Sequence, residues 1–238
     1  APEGFTHYLM KFDGVSEQHA HQEIFGDPLG FGAMEFVYYL MAKDCGIDMM
    51  PCHLLPEGQR RHFITQRYDR VGNEKVHVQT LNGLAHVDYQ KPGSFSYAEL
   101  FAVLRQLKLS AVDAEQLFRR MVFNIVARNH DDHAKNFGFM LRGDKWGLAP
   151  AYDLAYSYKP GSKWVNSHWM NLNGKRDDFV REDFYSLEKL SPLFSRSFIN
   201  SVIDEVIEKV AGWERLATEA QVPRILIDEV SQNLRLGI

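Results

Sequence analysis

Cysteine is the scarcest chemistry in this chain. Two occur in 238 residues, Cys45 and Cys52, a density that excludes a disulfide framework and makes a reducing compartment the expectation, the cytoplasm first. Long apolar runs are missing as well. No stretch approaches the roughly 20 residues that a bilayer-spanning helix needs, and the opening "APEGFTHYLMKFDG" lacks the charged-then-apolar pattern of a secretory signal. A soluble protein with no membrane partner is expected. Nor is there an excess of positive charge: 27 Lys and Arg stand against 31 Asp and Glu, a net charge of −4. That balance gives no reason to expect direct nucleic-acid binding, which draws on many cations neutralising phosphates. Internal repeats and low-complexity segments are absent. The chain opens without methionine, directly ahead of a strand-like run, which suggests that the natural protein extends further upstream. What is present is an ordinary globular composition, 45% hydrophobic, enough for one large domain or two small lobes sharing a core.

The first third alternates strand and helix signals, whereas the rest reads as mostly helical with one interruption. This asymmetry predicts an α+β chain in two lobes: residues 1–72 a partial, mixed α/β small lobe, residues 73–238 a mostly helical large one. "FTHYLMKF", Phe5 to Phe12, reads as a strand carrying Lys11 near its end, closed by the Asp13-Gly14 turn. From Ala33 to Cys45, Met34, Val37, Tyr38 and Met41 fall at helical spacing, with Glu35 in the first turn and Gly46 at the C-terminal end. Ahead of that helix, Gly26, Gly30 and Gly32 of "FGDPLGFGAM" read as a flexible connection with helix-start character. Strands are predicted around "MMPCHLL" and over "RHFITQRYDR", the second running into the Gly72-Asn73 turn. Ser96 and then Ser110 with Asp113 start two helices, the latter a capping box. Leu117, Met121, Val122 and Ile125 form the second helix's buried stripe, so it delivers Asn129 to Asn136 as a loop on a packed element. "FGFML", the turn "RGDK" and "WGLAPAYDL" predict a hairpin whose second arm ends at Asp153. From Arg181 onward helices return, with Phe198, Val202, Ile203, Val206, Ile207 and Val210 as core and Pro223 starting the last.

The stretch "RNHDDHAKNFGFML", residues 128 to 141, concentrates the chemistry. His130 and His133 share a possible helix face, but the His-Glu-x-x-His spacing is absent and the two cysteines lie far upstream, so a zinc site lacks its partner set. A helix end also collects Asp, Asn and His simply because they cap and turn. Phosphoryl transfer from ATP asks for a third arrangement: a carboxylate that orients and accepts a hydroxyl proton, and an Asn plus a second carboxylate that hold Mg²⁺ against the phosphates. Asp131 and Asn136 are five apart, and Asp153 follows after the hairpin. Lys11 on its strand is placed to reach phosphates, with Glu35 on the next helix as its pair. Protein kinases carry Lys, Glu, Asp, Asn and Asp in this order.

"DDHAKN" followed by "LAPAYDL", preceded by "QRYDR" and the "MKFDG" strand, resembles the HipA family of bacterial toxin–antitoxin serine/threonine kinases, in its HipA-like C-terminal domain. The family pattern Asp-x-His-x-Lys-Asn, then Pro-x-Tyr-Asp, is matched by Asp131, His133, Lys135, Asn136, Pro150, Tyr152 and Asp153, and "HWMNLNGKRDDF", His168 to Phe179, also looks like a family segment. The resemblance runs over nearly the whole chain. It implies a two-lobed protein-kinase-like fold, with a nucleotide-binding small lobe and a catalytic large one, and ATP and Mg²⁺ as cofactors. Asp131 would be the catalytic base, with Asp132 the weaker candidate because it stands four from Asn136; Asn136 and Asp153 would be metal ligands. Lys11 would bind phosphates, the backbone of Gln66, Arg67 and Tyr68 would meet adenine, and His133 and Lys135 would orient the loop or touch phosphate. The implied partners are a protein substrate, in some members an aminoacyl-tRNA synthetase, and a DNA-binding antitoxin.

The family's serine-bearing, nucleotide-covering loop lies upstream of the lysine strand, and nothing precedes Ala1 here; the glycines at 26, 30 and 32 come after that strand and are not that loop. Two other readings stay open on the residues: a small-molecule kinase of the aminoglycoside phosphotransferase kind, which also spaces Asp and Asn by five, and a catalytically silent nucleotide- or partner-binding fragment.

Overall fold

The computed structural model describes residues 2, 4–14 and 29–238. The predicted first strand forms over Tyr8–Lys11 (β1), and the predicted helix over Phe31–Asp44 (α1). Cys52–Glu57 (β2) and Arg60–Gln66 (β3) complete an antiparallel sheet ordered β1-β3-β2, with Lys11 opposite Phe63. α1 packs on β2 and β3. It begins two residues earlier than the apolar spacing predicts, which moves Glu35 out of the first turn. An attraction to the helix N-terminus therefore does not account for this residue, since that effect fades within one turn.

Close approach, not flexibility, explains two of the glycines ahead of α1. Gly30 has φ 102°, and a Cβ there would lie 2.3 Å from the Pro223 ring; a Cβ on Gly32 would lie 2.0 Å from the Arg61 carbonyl oxygen. Gly26 lies outside the described residues. Asp13, which the sequence presents as half of a turn, is buried and ties these pieces together. Its carboxylate accepts from the Gly30 and Gly32 amides at 2.9 and 3.3 Å and from the Arg61 amide at 3.1 Å.

Beyond a small hairpin of Arg70–Val71 (β4) and Glu74–Lys75 (β5), closed by Gly72-Asn73, His77–Thr80 (β6) enters a second sheet. A short helix, Leu81–Ala85 (α2), leads to Tyr97–Gln106 (α3) and Ala111–Val126 (α4). Both longer helices start with capping boxes, Ser96 with Glu99 and Ser110 with Asp113. The stripe of Leu117, Met121, Val122 and Ile125 is fully buried. α4 hands the chain to a loop through Arg128, at φ 56°, and a 3₁₀ turn over Ala134–Asn136 leads into Gly138–Arg142 (β7) and Lys145–Leu148 (β8). The second sheet is ordered β6-β7-β8.

The second hairpin arm stops at Leu148, five residues short of the predicted end at Asp153. Pro150 has no N–H to continue a ladder, and the Ala151 amide instead donates to the Asp48 carbonyl at 2.7 Å. Asp153 itself sits at φ 57°, a left-handed conformation that Asp tolerates better than most residues.

The tail is helical as predicted: Arg181–Phe184 (α5), a 3₁₀ stretch Tyr185–Leu190, Arg196–Val210 (α6), Trp213–Glu219 (α7) and Arg224–Asn233 (α8), the last entered from Pro223. α1 belongs to the same apolar core as these helices. Tyr38 packs edge-on to Phe123 and Trp213 and donates its hydroxyl to the Ala127 carbonyl at 2.6 Å, one residue past the end of α4. Among the described residues no helix is long and apolar enough to cross a membrane.

Candidate functional site

Three elements distant in sequence converge on Lys11. From β1 its ammonium donates to Glu35 of α1 at 2.7 Å and to Asp153 beyond β8. Burial alone would weaken the lysine's hold on its proton; the Glu35 and Asp153 carboxylates more than reverse this and raise its pKa above the ordinary value. A cleft of about 180 Å³ opens on the α1 side of the cluster, walled in part by Lys11, Phe31, Met34, Glu35, Asp153 and Tyr156.

The adjacent aspartates of the loop part company. Asp132 is buried and fully committed: it accepts from the Tyr97 hydroxyl at 2.7 Å and the Trp169 and Met170 amides at 2.7 and 3.3 Å, and His168 Nδ1 lies 3.0 Å away. Asp131 is left 39% exposed at its side chain, with His133 Nε2 at 3.7 Å from its carboxylate. Partial burial lifts its pKa above the usual carboxylate range; His133 opposes the shift and the Asp153 charge adds to it. A carboxylate raised in this way, and still reachable, suits a general base.

Asn136 is held by its own loop. Its Nδ2 donates to the Asp131 backbone carbonyl at 2.8 Å, which leaves Oδ1 as the acceptor end of the amide. Lys11 takes Asp153 Oδ1, and Oδ2 accepts no hydrogen bond from the described residues. One hard oxygen from each residue fits Mg²⁺, which commonly takes one or two protein oxygens and completes its shell with water and phosphate. The histidines do not assemble a metal set: among the described residues no three His, Cys, Asp or Glu side chains converge on one point. His130 is buried against His168, ring centres 4.1 Å apart, with Nε2 3.3 Å from the Arg128 guanidinium. Burial, then the neighbouring His168 and Arg128, push its pKa down to about 2, so it is a neutral packing residue.

The remaining candidates are spread wider. Lys135 places its ammonium 3.3 Å over the Tyr89 ring, and the His133 ring sits edge-on between Tyr89 and Trp169. The backbone amides of Gln66 and Arg67 are taken by the Pro51 and His7 carbonyls at 3.0 and 2.9 Å, and the Arg67 guanidinium forks onto Asp69. None of Gln66, Arg67 and Tyr68 walls the cleft beside Lys11. Tyr68 is nonetheless linked to the loop: its ring stacks on Tyr152 at 5.6 Å, and the Tyr152 hydroxyl donates to the Lys135 carbonyl at 2.6 Å.

Sequence reasoning misses Asp13 and Tyr97, and it weighs Asp132 as a base when the residue anchors the loop. An inward-facing Tyr in the first turn of α3 is the one available signal, because a buried hydroxyl needs a partner.

Comparison with known proteins gives a concordant picture. The model of the HipA-like C-terminal domain matches residues 1–213. A Haemophilus influenzae protein named "Putative kinase" is 24% identical over 224 residues, covering 81% of this chain and 65% of that protein. "Putative kinase Y4mE" of Sinorhizobium fredii is 27% identical over 124 residues, 48% of this chain and 30% of its own. The chain thus spans less than two thirds of the curated relatives it matches. In fold it is similar to HipA in the Shewanella oneidensis MR-1 complex of HipA, HipB and operator DNA, with a TM-score of 0.72 at 14% identity, covering 94% of this chain and 56% of that one. It is also similar to the Helicobacter pylori proinflammatory kinase CtkA, with a TM-score of 0.54 at 12% identity, covering 95% and 87%. The expected kinase-like α+β architecture is therefore borne out.

Proposed function

The chain belongs to the HipA-like C-terminal domain family, and on that premise we propose that it is the catalytic part of an ATP- and Mg²⁺-dependent serine/threonine protein kinase, the toxin of a toxin–antitoxin pair. The observation that carries this reading is the Lys11–Glu35–Asp153 ion cluster lying within electrostatic reach of an open, pKa-raised Asp131 while Asp132 is sealed away. In the proposed division, residues 1–72 form the nucleotide-binding lobe and residues 73–238 the catalytic lobe.

Each residue has a physical task. Lys11 neutralises phosphate charge, and Glu35, on a packed helix, aims it. Asp131 accepts the proton of the substrate hydroxyl and orients its oxygen, with His133 steadying the carboxylate. Asn136 and Asp153 would hold Mg²⁺, which would offset the charge of the phosphates. Lys135, drawn to Tyr89, keeps positive charge beside the loop, and the Gln66–Tyr68 segment meets adenine through backbone atoms other than the two amides already taken. The HipB complex of the Shewanella relative supports a DNA-binding antitoxin as partner; a protein such as an aminoacyl-tRNA synthetase is the proposed substrate class, and the cytoplasm the place.

Calorimetric titration with ATP in the presence and absence of Mg²⁺, followed by γ-phosphate transfer assays on protein and on aminoglycoside acceptors, tests the reading. Mg²⁺-dependent binding with transfer to protein is expected. Absence of nucleotide binding defeats it, and transfer to aminoglycosides alone replaces it with small-molecule phosphorylation. Binding without transfer would support a catalytically silent domain instead.

A further inference from the structure

The residues after α8 return to the catalytic loop. The Arg235 amide donates to the Val126 carbonyl at 2.9 Å, one of the last-turn carbonyls that a helix leaves without an internal partner. The Arg235 guanidinium spans two further groups, Asp177 Oδ1 at 3.2 Å and the Phe179 carbonyl at 2.9 Å. Asp177 Oδ1 also receives Arg128 Nη1 at 2.9 Å, and Arg128 Nε donates back to the Asn233 carbonyl at 2.9 Å. Two arginines thus share one carboxylate oxygen, and each also grips backbone of another element.

Arg128 is the residue through which this network touches the loop. It holds the left-handed turn that ends α4, its guanidinium lies 4.4 Å from the Tyr158 ring centre, and Nη1 is 3.3 Å from His130 Nε2. A non-glycine residue at positive φ is strained and persists only where its surroundings enforce it. The surroundings here are specific: Ser157 bonds the Arg128 carbonyl at 3.1 Å and receives the His130 amide at 3.2 Å. His130, held neutral by burial, can accept from Arg128 without repelling it. Asp131 follows directly. Its partner Asp132 is pinned to residues 168–170, so the base has one anchored neighbour on each side, and the earlier anchor leads to Arg235.

We propose that Arg235, acting through Asp177 and Arg128, is a positioning residue for Asp131, so that the segment after α8 sets the geometry of the loop. The inference rests on the reading of Asp131 as base. Arg235 lies beyond the stretch matched by the family model, which ends at 213, and its contacts, Val126, Asp177, Asp178 and Phe179, include none of the residues assigned to nucleotide, metal or proton transfer.

The experiment compares wild type, Arg235→Ala and Arg235→Lys by amide hydrogen exchange and by transfer kinetics. Arg235→Ala is expected to speed exchange of the amides of residues 128–133 by about tenfold, a local opening, while α1 and β1–β3 exchange as before. It should lower kcat by about tenfold with KM for ATP within about twofold, because misplacing a base by a fraction of an ångström costs rate without touching nucleotide contacts. Arg235→Lys, which keeps the charge facing Asp177 but not the fork, should fall between. Asp177→Asn combined with Arg235→Ala should cost less than the sum of the two, as members of one network do. Faster exchange across the whole molecule would reduce Arg235 to a stability residue and overturn the proposal. So would unchanged exchange at 128–133. If wild type transfers no phosphate, the kinase reading fails by itself, and exchange still decides whether Arg235 restrains the loop.

Discussion

Asp13 and Asp132 are both shut off from water, at 2% and 1% exposure, and both commit their carboxylates to donors far away in sequence, but they work in unlike surroundings. Asp13 gathers three backbone amides and thereby joins the end of β1, the start of α1 and the head of β3. Around it the sheet is thinly covered: Leu9 and Phe12 are each 55% exposed, and β1, an edge strand among the described residues, is exposed along its whole length. Asp132 gathers two amides, a tyrosine hydroxyl and a histidine inside the packed core. The same device, a carboxylate saturated by local dipoles, places Lys11 in one half and Asp131 in the other. What differs is what lies behind it: a three-stranded sheet in one case, and α3, α4 and the 168–170 segment in the other.

The largest effect expected is chemical and belongs to the packed half. Asp131→Asn should reduce phosphate transfer by about 10³-fold while leaving Mg²⁺-dependent ATP binding near wild type, because it removes the proposed base and neither proposed metal ligand. Asp153→Asn should weaken binding itself. If the two variants bind ATP alike, the assignment of roles is wrong. Next comes stability. Asp132→Ala leaves the Tyr97 hydroxyl, His168 and two amides facing a void, and should cost about 3 kcal/mol in denaturant unfolding. Asp13→Ala also orphans amides, but under a strand that water reaches readily, so about 1–2 kcal/mol is expected, with faster amide exchange confined to β1, β3 and the first turn of α1. Equal losses, or a global response to Asp13→Ala, would erase the contrast between the two anchors.

A smaller effect probes how the halves meet. Glu35→Gln keeps the shape of the side chain but removes one of the two charges that raise the Lys11 pKa. Lys11 then leans on Asp153 alone, and ATP affinity should fall by about five- to tenfold with little change in melting temperature, since a partly exposed ion pair contributes little to folding.

Some of this was legible in the sequence and some could not be. Periodicity and caps report local preferences, so the α4 stripe, its Ser110–Asp113 capping box and Pro223 ahead of α8 appear where expected. The Lys11–Glu35 contact followed from the order of motifs. Asp132 and Asp13 are different: their partners lie 35 to 38 and 17 to 48 residues away, and such contacts leave no repeating trace in a single sequence. Spacing alone ranked Asp132 below Asp131 by one residue in the interval to Asn136, whereas burial separates them outright. Gly32 looked like flexibility because nothing near it in sequence reveals the Arg61 carbonyl against which it packs. The end of β8 was overrun for a related reason, since the pull of Asp48 on Ala151 comes from another part of the chain.

The smallest effect concerns pH, and its sign follows from Asp131. Partial burial raises this carboxyl's pKa in the folded state, with the Asp153 charge adding and His133 opposing. The folded protein therefore binds the Asp131 proton more tightly than the unfolded chain does, and at pH values between the ordinary carboxylate pKa and the raised one it carries more protons. Stability from this group is present below that window and declines as pH rises through it. Asp131→Asn removes the titration, so the variant should be slightly more stable than wild type above the window and lose that advantage below it, in unfolding measured from about pH 3 to pH 8. Asp132→Asn offers the control: it loses an anchor, so it should be less stable at every pH in the series. A wild-type protein that gained stability relative to Asp131→Asn as pH rose would mean that ionised Asp131 is held by favourable partners, and the two aspartates would no longer divide into an open carboxylate and a closed anchor.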